Sequence, residues 1–456
     1  MSAIHSKQFM GSERIAKLLI RFAGPALVGM LANALYNIVD RIFVGHAVGS
    51  LGIAAIAVSF PCMLFFISVG FLIAAGASSR VSILMGEKRI RRAEQTLGNA
   101  VSLSLSLGLL LCLAGGLLFE RILRLSGASD TVYPMASSYL SIILYGVVPS
   151  IVSFTLSSLT RACGSPAYAM GSLIVGAAAN IVLDAWFILS LGMGVEGAAL
   201  ATVISQLLSA IWALSYFMLP GAALKLRLKF MLSPNRDTLS RIFAVGIPSC
   251  IVNMNFVFIH GVITYTSNMY GGDMAVSAAG IFVSLDSLLF MPAVAIADAC
   301  QPIVGYNYGA GKTERAISAA KTGILITTVF YILSFTVIMS NAEFLVKMFN
   351  STDGNLIRTT ARAIRFGNIC IPLMGISIVT TSFLQGLGKG REGLILSVIK
   401  FGVFLWIPLL VLPRYFGVYG VWGSFPISDS CGAAASCLFI TRAIKDIRSD
   451  AKRGPN

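Results

Sequence analysis

The first long apolar run of the chain carries a polar stripe. Within Asn33-Ala-Leu-Tyr-Asn-Ile-Val-Asp-Arg41, the residues Asn33, Tyr36, Asn37 and Asp40 are spaced i, i+3, i+4, i+7. That spacing puts them on one face of a helix. Leu35, Ile38 and Val39, which lie between them, are apolar. A carboxylate at the middle of a bilayer costs about 3 kcal/mol or more, so it must face protein or water rather than lipid. Two readings of Asp40 follow. It is a proton or cation site, or it sits at the end of its span and pairs with Arg41 near the headgroups. A second stretch, Asn180-Ile-Val-Leu-Asp184, again sets an amide and a carboxylate at i, i+4 on one face of an apolar run, and Thr202 follows in the next run. Two buried carboxylates with amide and hydroxyl neighbours are what a hard cation or a shuttled proton needs. Asp286 falls mid-span in the second half of the chain, as a cavity-lining acid or a structural hydrogen-bonding group. With Asn33, Tyr36, Asn37 and Gln206 it completes the set of candidate substrate-cavity residues.

The elements that must hold these side chains are membrane helices. The chain has 456 residues, 56% hydrophobic and 12% charged, with a mean hydropathy of +0.84. Apolar runs of about 20 residues recur along the whole length, the mark of a polytopic membrane protein. The runs are too long for barrel strands, and the 44 glycines suit close helix packing in lipid. Spans are expected near 16–43, 51–79, 95–119, 133–160, 166–190, 195–219, 242–268, 276–304, 314–340, 360–385, 393–412 and 418–441. The first run is too long, and too polar along one face, for a cleavable signal peptide. None of the eight cysteines forms a CxxC pair, and all lie in or beside apolar runs, as buried filler does. His5, His46 and His260 are the only histidines, too few for a transition-metal cluster.

The formal net charge is +15. The basic residues sit in short loops beside apolar runs, which the positive-inside rule explains without nucleic acid. Lys88 to Arg92, Arg161, Lys225 to Arg241, Lys312 and Arg315, Lys389 and Arg391, and Arg442 to Arg448 all fall on the side of the N-terminus. That side is therefore read as cytoplasmic, with both termini there. Gly45–Ser50, Leu191–Glu196 and Gly271–Asp273 on the other side carry no Lys or Arg. Arg358, Arg362 and Arg365 are the exception, and either snorkel or line a pore.

One offset recurs at distant landmarks. Pro25 matches Pro248 (248 − 25 = 223), Gly86 matches Gly309 (309 − 86 = 223) and Gly194-Val-Glu-Gly197 matches Gly417-Val-Tyr-Gly420 (417 − 194 = 223). The chain is a duplication. Each half has an even number of spans, so the repeats are parallel, related by a pseudo-two-fold axis along the membrane normal. Transporters built this way hold substrate between the halves. The expected architecture is all-α: an N-terminal six-helix lobe over 1–219, a basic linker over 220–241, and a second six-helix lobe with its tail over 242–456. At the same offset Asp40, Asn180 and Asp184 map to Ile263, Val403 and Ile407, which assigns the ion chemistry to the first half. The second half has Asp286, Asp298 and Asp429 of its own.

Enzymatic motifs fail on inspection. Gly309-Ala-Gly-Lys-Thr313 lacks the phosphate loop's first glycine, because position 306 is Tyr306, and no strand precedes it. The aspartates lack the sequence surroundings of an intramembrane aspartyl protease.

Ala23-Gly-Pro25, Tyr36-Asn-Ile-Val-Asp40, Asn180 with Asp184, and Gln301-Pro-Ile-Val-Gly-Tyr-Asn-Tyr-Gly309 make the chain resemble the multidrug and toxic compound extrusion (MATE) family over nearly its full length. The last string is similar to the prokaryotic branch containing the staphylococcal multidrug exporter. The resemblance implies a cation-coupled antiporter with two six-helix lobes and alternating access. It would export organic, mainly cationic, compounds against H+ or Na+, as a monomer and without a resident cofactor. It also implies a cation site, open to Na+, at Asp40, Asn180, Asp184 and Thr202. The second-lobe acidic pair of vibrio-type members has no counterpart in the seventh span, which holds Asn253, Asn255 and His260. A lipid-linked oligosaccharide flippase of the same superfamily is the alternative. Such proteins have a cationic cavity, whereas the mid-span charges noted above are acidic.

Overall fold

The computed structural model describes residues 9–126, 128–348 and 353–453. His5 and the side chain of His260 lie outside that description. In chain order the helices are α1 (Ile15–Ala47), α2 (Ser50–Gly86), α3 (Ile90–Leu125), α4 (Tyr133–Ala162), α5 (Pro166–Asp184), α6 (Gly194–Tyr216) and the short α7 (Leu228–Met231). Then come α8 (Arg236–Gly309), α9 (Thr313–Lys347), α10 (Gly354–Gly367), α11 (Met374–Gly386), α12 (Gly390–Ser397), α13 (Trp406–Phe416) and α14 (Val418–Arg453). Nine of the described helical segments are long and apolar enough to cross a membrane, and a tenth is the bent pair of α10 with Ile371–Gly386. With α8 read as two spans broken at Gly272, where φ is 62°, and α14 as the last, each half holds six spans and the chain twelve.

Several boundaries differ from the sequence reading for local reasons. The tenth span, expected at 360–385, begins at Gly354. Asp353 caps it, its Oδ1 accepting from the amides of Asn355 (2.9 Å) and Leu356 (3.1 Å). The span then bends by 42° where Pro372 cannot continue the backbone ladder. On α10, Arg358 and Arg362 are exposed, and Arg365 Nε donates to the Met339 carbonyl (3.2 Å). Two π-helical turns interrupt corresponding spans, Ala185–Ser190 after α5 and Val398–Val403 after α12. Such turns insert a residue and recur at functional sites.

The described residues form two compact units, 9–12 with 24–253 and 13–23 with 254–453. In the first, α4 packs on α2, α3 and α6, and α5 on α6. Gly76 of α2 and Gly246 of α8 allow two backbones to meet. A Cβ on Gly76 would collide with the Ile242 carbonyl, and one on Gly246 with the Leu72 carbonyl. The basic stretch after α6 is tied to α3. Glu94 Oε2 accepts from Arg227 Nε (2.8 Å), Asn99 Nδ2 donates to the Phe230 carbonyl (2.7 Å), and Asn99 Oδ1 accepts from the Asn235 amide (2.8 Å). The second unit is built around Phe282, Trp422 and Ile364, with α14 packed on α10, α11 and α13.

Backbone conformation repeats with the sequence offset. Gly49 (φ 83°) answers Gly272 (φ 62°), Lys88 (φ 60°) answers Gly311 (φ 70°), and Gly194 (φ 56°) answers Gly417 (φ 57°). All three pairs keep the offset of the landmarks (272 − 49 = 223, 311 − 88 = 223, 417 − 194 = 223). Gly164 (φ 85°) and Gly388 (φ 74°) exceed it by one (388 − 164 = 224). At these positions the turns of one half match those of the other, even where the left-handed position holds Lys88 rather than glycine.

Candidate functional site

Asp40, Asn180 and Asp184 are all buried in the first unit, Asp184 completely. Their juxtaposition follows from helix register. Helices α1 and α5 are the first and fifth spans and so run parallel. Gly29 of α1 lies against Leu173 of α5. Asp40 and Asp184 follow those two positions at the same separation (40 − 29 = 11 and 184 − 173 = 11). That separation is about three full helical turns, so both carboxylates return to the facing sides at one level. The same register sets Tyr36 level with Asn180. Asp40 and Asp184 are within electrostatic reach of each other, and Tyr36 of both.

Thr202 comes from α6, which runs antiparallel to α5. Ser209 Oγ donates to the Ser172 carbonyl (2.8 Å), and Gly176 lies beside Ser205 and Ser209. Continued one turn, that register brings buried Thr202 level with Asn180. The π-helical turn begins directly after Asp184.

Five buried polar atoms here have no hydrogen-bond partner among the described residues: Asp40 Oδ1, Asn180 Oδ1 and Nδ2, and Asp184 Oδ1 and Oδ2. Buried polar groups are nearly always partnered, and each group left without a partner costs about 1–3 kcal/mol. Asp40 forms no ion pair with Arg41 among the described residues. Arg41 is exposed and its guanidinium lies 5.7 Å from the centre of the Phe60 ring. Four of the five atoms are oxygens, and the Thr202 hydroxyl adds a further oxygen donor. Such a set suits a proton or a hard cation.

The other sequence candidates are more dispersed. Asn37 Nδ2 donates back to Asn33, to its carbonyl (2.7 Å) and its Oδ1 (3.0 Å), so part of the stripe satisfies itself. Half-buried Gln206 packs its carboxamide against Gly146 of α4. Asp286 lies on α8 in the second unit, whereas the Asp40 cluster belongs to the first. Two residues escaped the sequence reading. Tyr139 of α4 is buried within reach of Asp40 and Asp184, its hydroxyl 3.9 Å from Met63 Sδ. A lone tyrosine in an apolar run gives little signal. Lys400 is only 5% exposed and lies within reach of Asp286 and Asp429. Its signal was plain, a solitary ammonium in the apolar run of 393–412.

Comparison with known proteins bears on the fold and the family. The MatE family profile matches residues 25–186 and again 248–411, and the starts of the two matches repeat the internal offset (248 − 25 = 223). The multidrug export protein MepA of Staphylococcus aureus strain MRSA252 is 26% identical over 426 residues, covering 93% of each chain. MepA of Staphylococcus saprophyticus is 24% identical over 429 residues, again covering 93% of each. Among solved structures, a MATE protein in the bent conformation superposes with a TM-score of 0.92 at 24% identity, covering 98% of this chain and 99% of that one. A transporter of the MOP superfamily from Pyrococcus furiosus, described as having a binding pocket of reverse polarity, superposes with a TM-score of 0.90 at 24% identity, covering 97% and 98%. The chain is a multi-pass membrane transporter of the multidrug-efflux class, and it belongs to the MatE family.

Proposed function

We propose that this protein is a secondary active antiporter. It exports organic, mainly cationic, compounds in exchange for H+ or Na+ by alternating access, from a bacterial plasma membrane, as a monomer with both termini in the cytoplasm. The observation that carries the reading is the set of five unpartnered polar atoms on Asp40, Asn180 and Asp184. Two buried carboxylates within reach of each other, with no cationic partner among the described residues closer than 4.0 Å, favour uptake of a positive charge. A proton binds one carboxylate oxygen and cancels the repulsion. A sodium ion takes oxygens from Asp40, Asp184, Asn180 and Thr202 instead.

The exchangeable ion is coupled to shape through α1. Pro25 lies inside that helix and removes one of its backbone hydrogen bonds, which makes the helix easy to bend there. With the site neutralised, α1 and α5 can repack, and the drug-binding state gives way to the releasing state. The flippase alternative draws no support from Lys400, because two carboxylates stand beside that single ammonium.

The test is dye efflux from proteoliposomes with proton and sodium gradients imposed separately. At least one inward gradient is expected to drive export, and Asp40→Asn to abolish it while the protein still folds. Export at the same rate with either gradient, both or neither would refute the antiport reading.

A further inference from the structure

The second unit holds a charged cluster that the ion site does not use. Asp286 of α8 and Asp429 of α14 each lie one turn beyond an aromatic contact. Phe282 and Phe425 meet with ring centres 4.9 Å apart, and each acid follows its ring at the same i, i+4 spacing (286 − 282 = 4 and 429 − 425 = 4). Those helices are the eighth and twelfth spans, so they run parallel and the acids rise to one level on facing sides. Lys400 enters from the π-helical turn Val398–Val403. Its stem lies against Gly432, where an added Cβ would come 3.1 Å from Lys400 Cγ and 3.3 Å from Cδ. Ser428 Oγ reaches the Lys400 carbonyl (3.4 Å). The ammonium is thereby led along α14 toward Asp429, and it stands 5.3 Å from the centre of the Phe401 ring.

Two features separate this cluster from a structural salt bridge. Among the described residues, Lys400 makes no ion pair within 4.0 Å, although both carboxylates are within its electrostatic reach. Tyr331 of α9 is fully buried, its hydroxyl has no hydrogen-bond partner among the described residues, and it too is within reach of both carboxylates. Asp286 and Asp429 themselves are only partly buried. Among the described residues, Lys400 pairs directly with neither carboxylate and the Tyr331 hydroxyl with no group at all.

We propose that Asp286, Asp429, Lys400 and Tyr331 form a ligand site of net charge −1 in the second unit, in which the tethered Lys400 ammonium selects a singly charged organic cation over a doubly charged one. Two carboxylates draw in the cationic ligand, the Tyr331 hydroxyl donates to one of them, and Lys400 fills the second place that a dication would need. The inference rests on the efflux reading above and adds to it the residue that sets substrate charge.

The experiment measures equilibrium binding to the full-length protein in detergent. The probes are tetraphenylphosphonium and an alkane-linked bis-triphenylphosphonium, which share chemistry and differ in charge. Wild type is expected to prefer the monocation. Lys400→Met, which keeps the stem length, is expected to shift the ratio of affinities toward the dication by about tenfold or more, since one unit charge is removed from a site of low effective dielectric. Asp429→Asn brings the site to zero charge and is expected to weaken monocation binding about tenfold on the same grounds, and it serves as the test if Lys400→Met does not fold. If Lys400→Met changes both affinities by the same factor or leaves them unchanged, or if Asp429→Asn binds like wild type, the inference is overturned while the efflux reading stands. A wild-type protein that binds neither probe would overturn both.

Discussion

If Asp40 and Asp184 hold an exchangeable ion, neutralising them should stabilise the fold and abolish transport. Both carboxylates sit at one level on packed parallel helices. Packed helix axes are about 8–10 Å apart. Two unit charges about 8 Å apart at an effective dielectric of about 20 repel by roughly 2 kcal/mol. Each also lacks hydrogen bonds, at about 1–3 kcal/mol per group. Asp184→Asn removes the repulsion and supplies an amide donor beside Asn180, whose Oδ1 is unpartnered. The expected gain is about 2–4 kcal/mol for either single variant. The repulsion is relieved only once, so the double variant should gain about 2 kcal/mol less than the sum of the two. The assay is unfolding in detergent at alkaline pH, in potassium buffer without sodium, where both carboxylates are charged and no coupling ion is present. Dye efflux is measured on the same three variants, and all three should lose it to a similar degree. Single variants that melt below wild type, or gains that simply add, would refute the shared site. Two partial transport losses that multiply in the double variant would do the same.

The turn shared by the two halves gives a second prediction: Gly311→Ala, at φ 70° with open space around a new Cβ, should lose about 1–2 kcal/mol to backbone strain alone. Its counterpart Lys88→Gly should lose nothing, since relief at φ 60° offsets the added freedom of the unfolded chain. Thermal unfolding checks both, and equal losses in the two turns would count against their equivalence. Single cysteines placed beside Lys88 and beside Lys312, in a cysteine-free background, should resist an impermeant reagent in intact cells; labelling of either from outside would overturn the parallel topology.

Much of the architecture could be read from particular residues. Pro25 with Pro248 and Gly194 with Gly417 disclosed the duplication, and the conformations of Gly49, Lys88, Gly272 and Gly311 extend it to the backbone. Asp40 and Asp184 were legible because an acid in an apolar run has few explanations. Their register was not, because it is set by the approach of Gly29 to Leu173, between helices that three other spans separate along the chain. The two π-helical turns left no signal, since one inserted residue barely alters an apolar pattern. The bracing of the basic stretch by Glu94 and Asn99 was equally hidden, because charge runs there suggested only topology. Lys400 was missed for another reason. Mapping Asp40, Asn180 and Asp184 of the first half onto the second returns the apolar Ile263, Val403 and Ile407, and Lys400 lies at none of the positions that mapping reaches.

That mismatch between the halves has a physical consequence. A charge buried in a membrane protein must be compensated throughout the working cycle, because losing its partner is strongly destabilising. The first unit places two acids together and, among the described residues, no ammonium or guanidinium within ion-pair distance of them. In the proposed cycle its compensation is an ion that comes and goes, and the fold gains a reason to change shape when it does. The second unit places two acids around a lysine held by its own stem against Gly432. Lys400 compensates one of the two acids permanently. In the proposal above the cationic ligand compensates the other, so that site can admit a cation without requiring a coupling ion in the same place. On these two proposals, duplication supplied two similar helical scaffolds, and the placement of one lysine separates the coupling site from the selecting one.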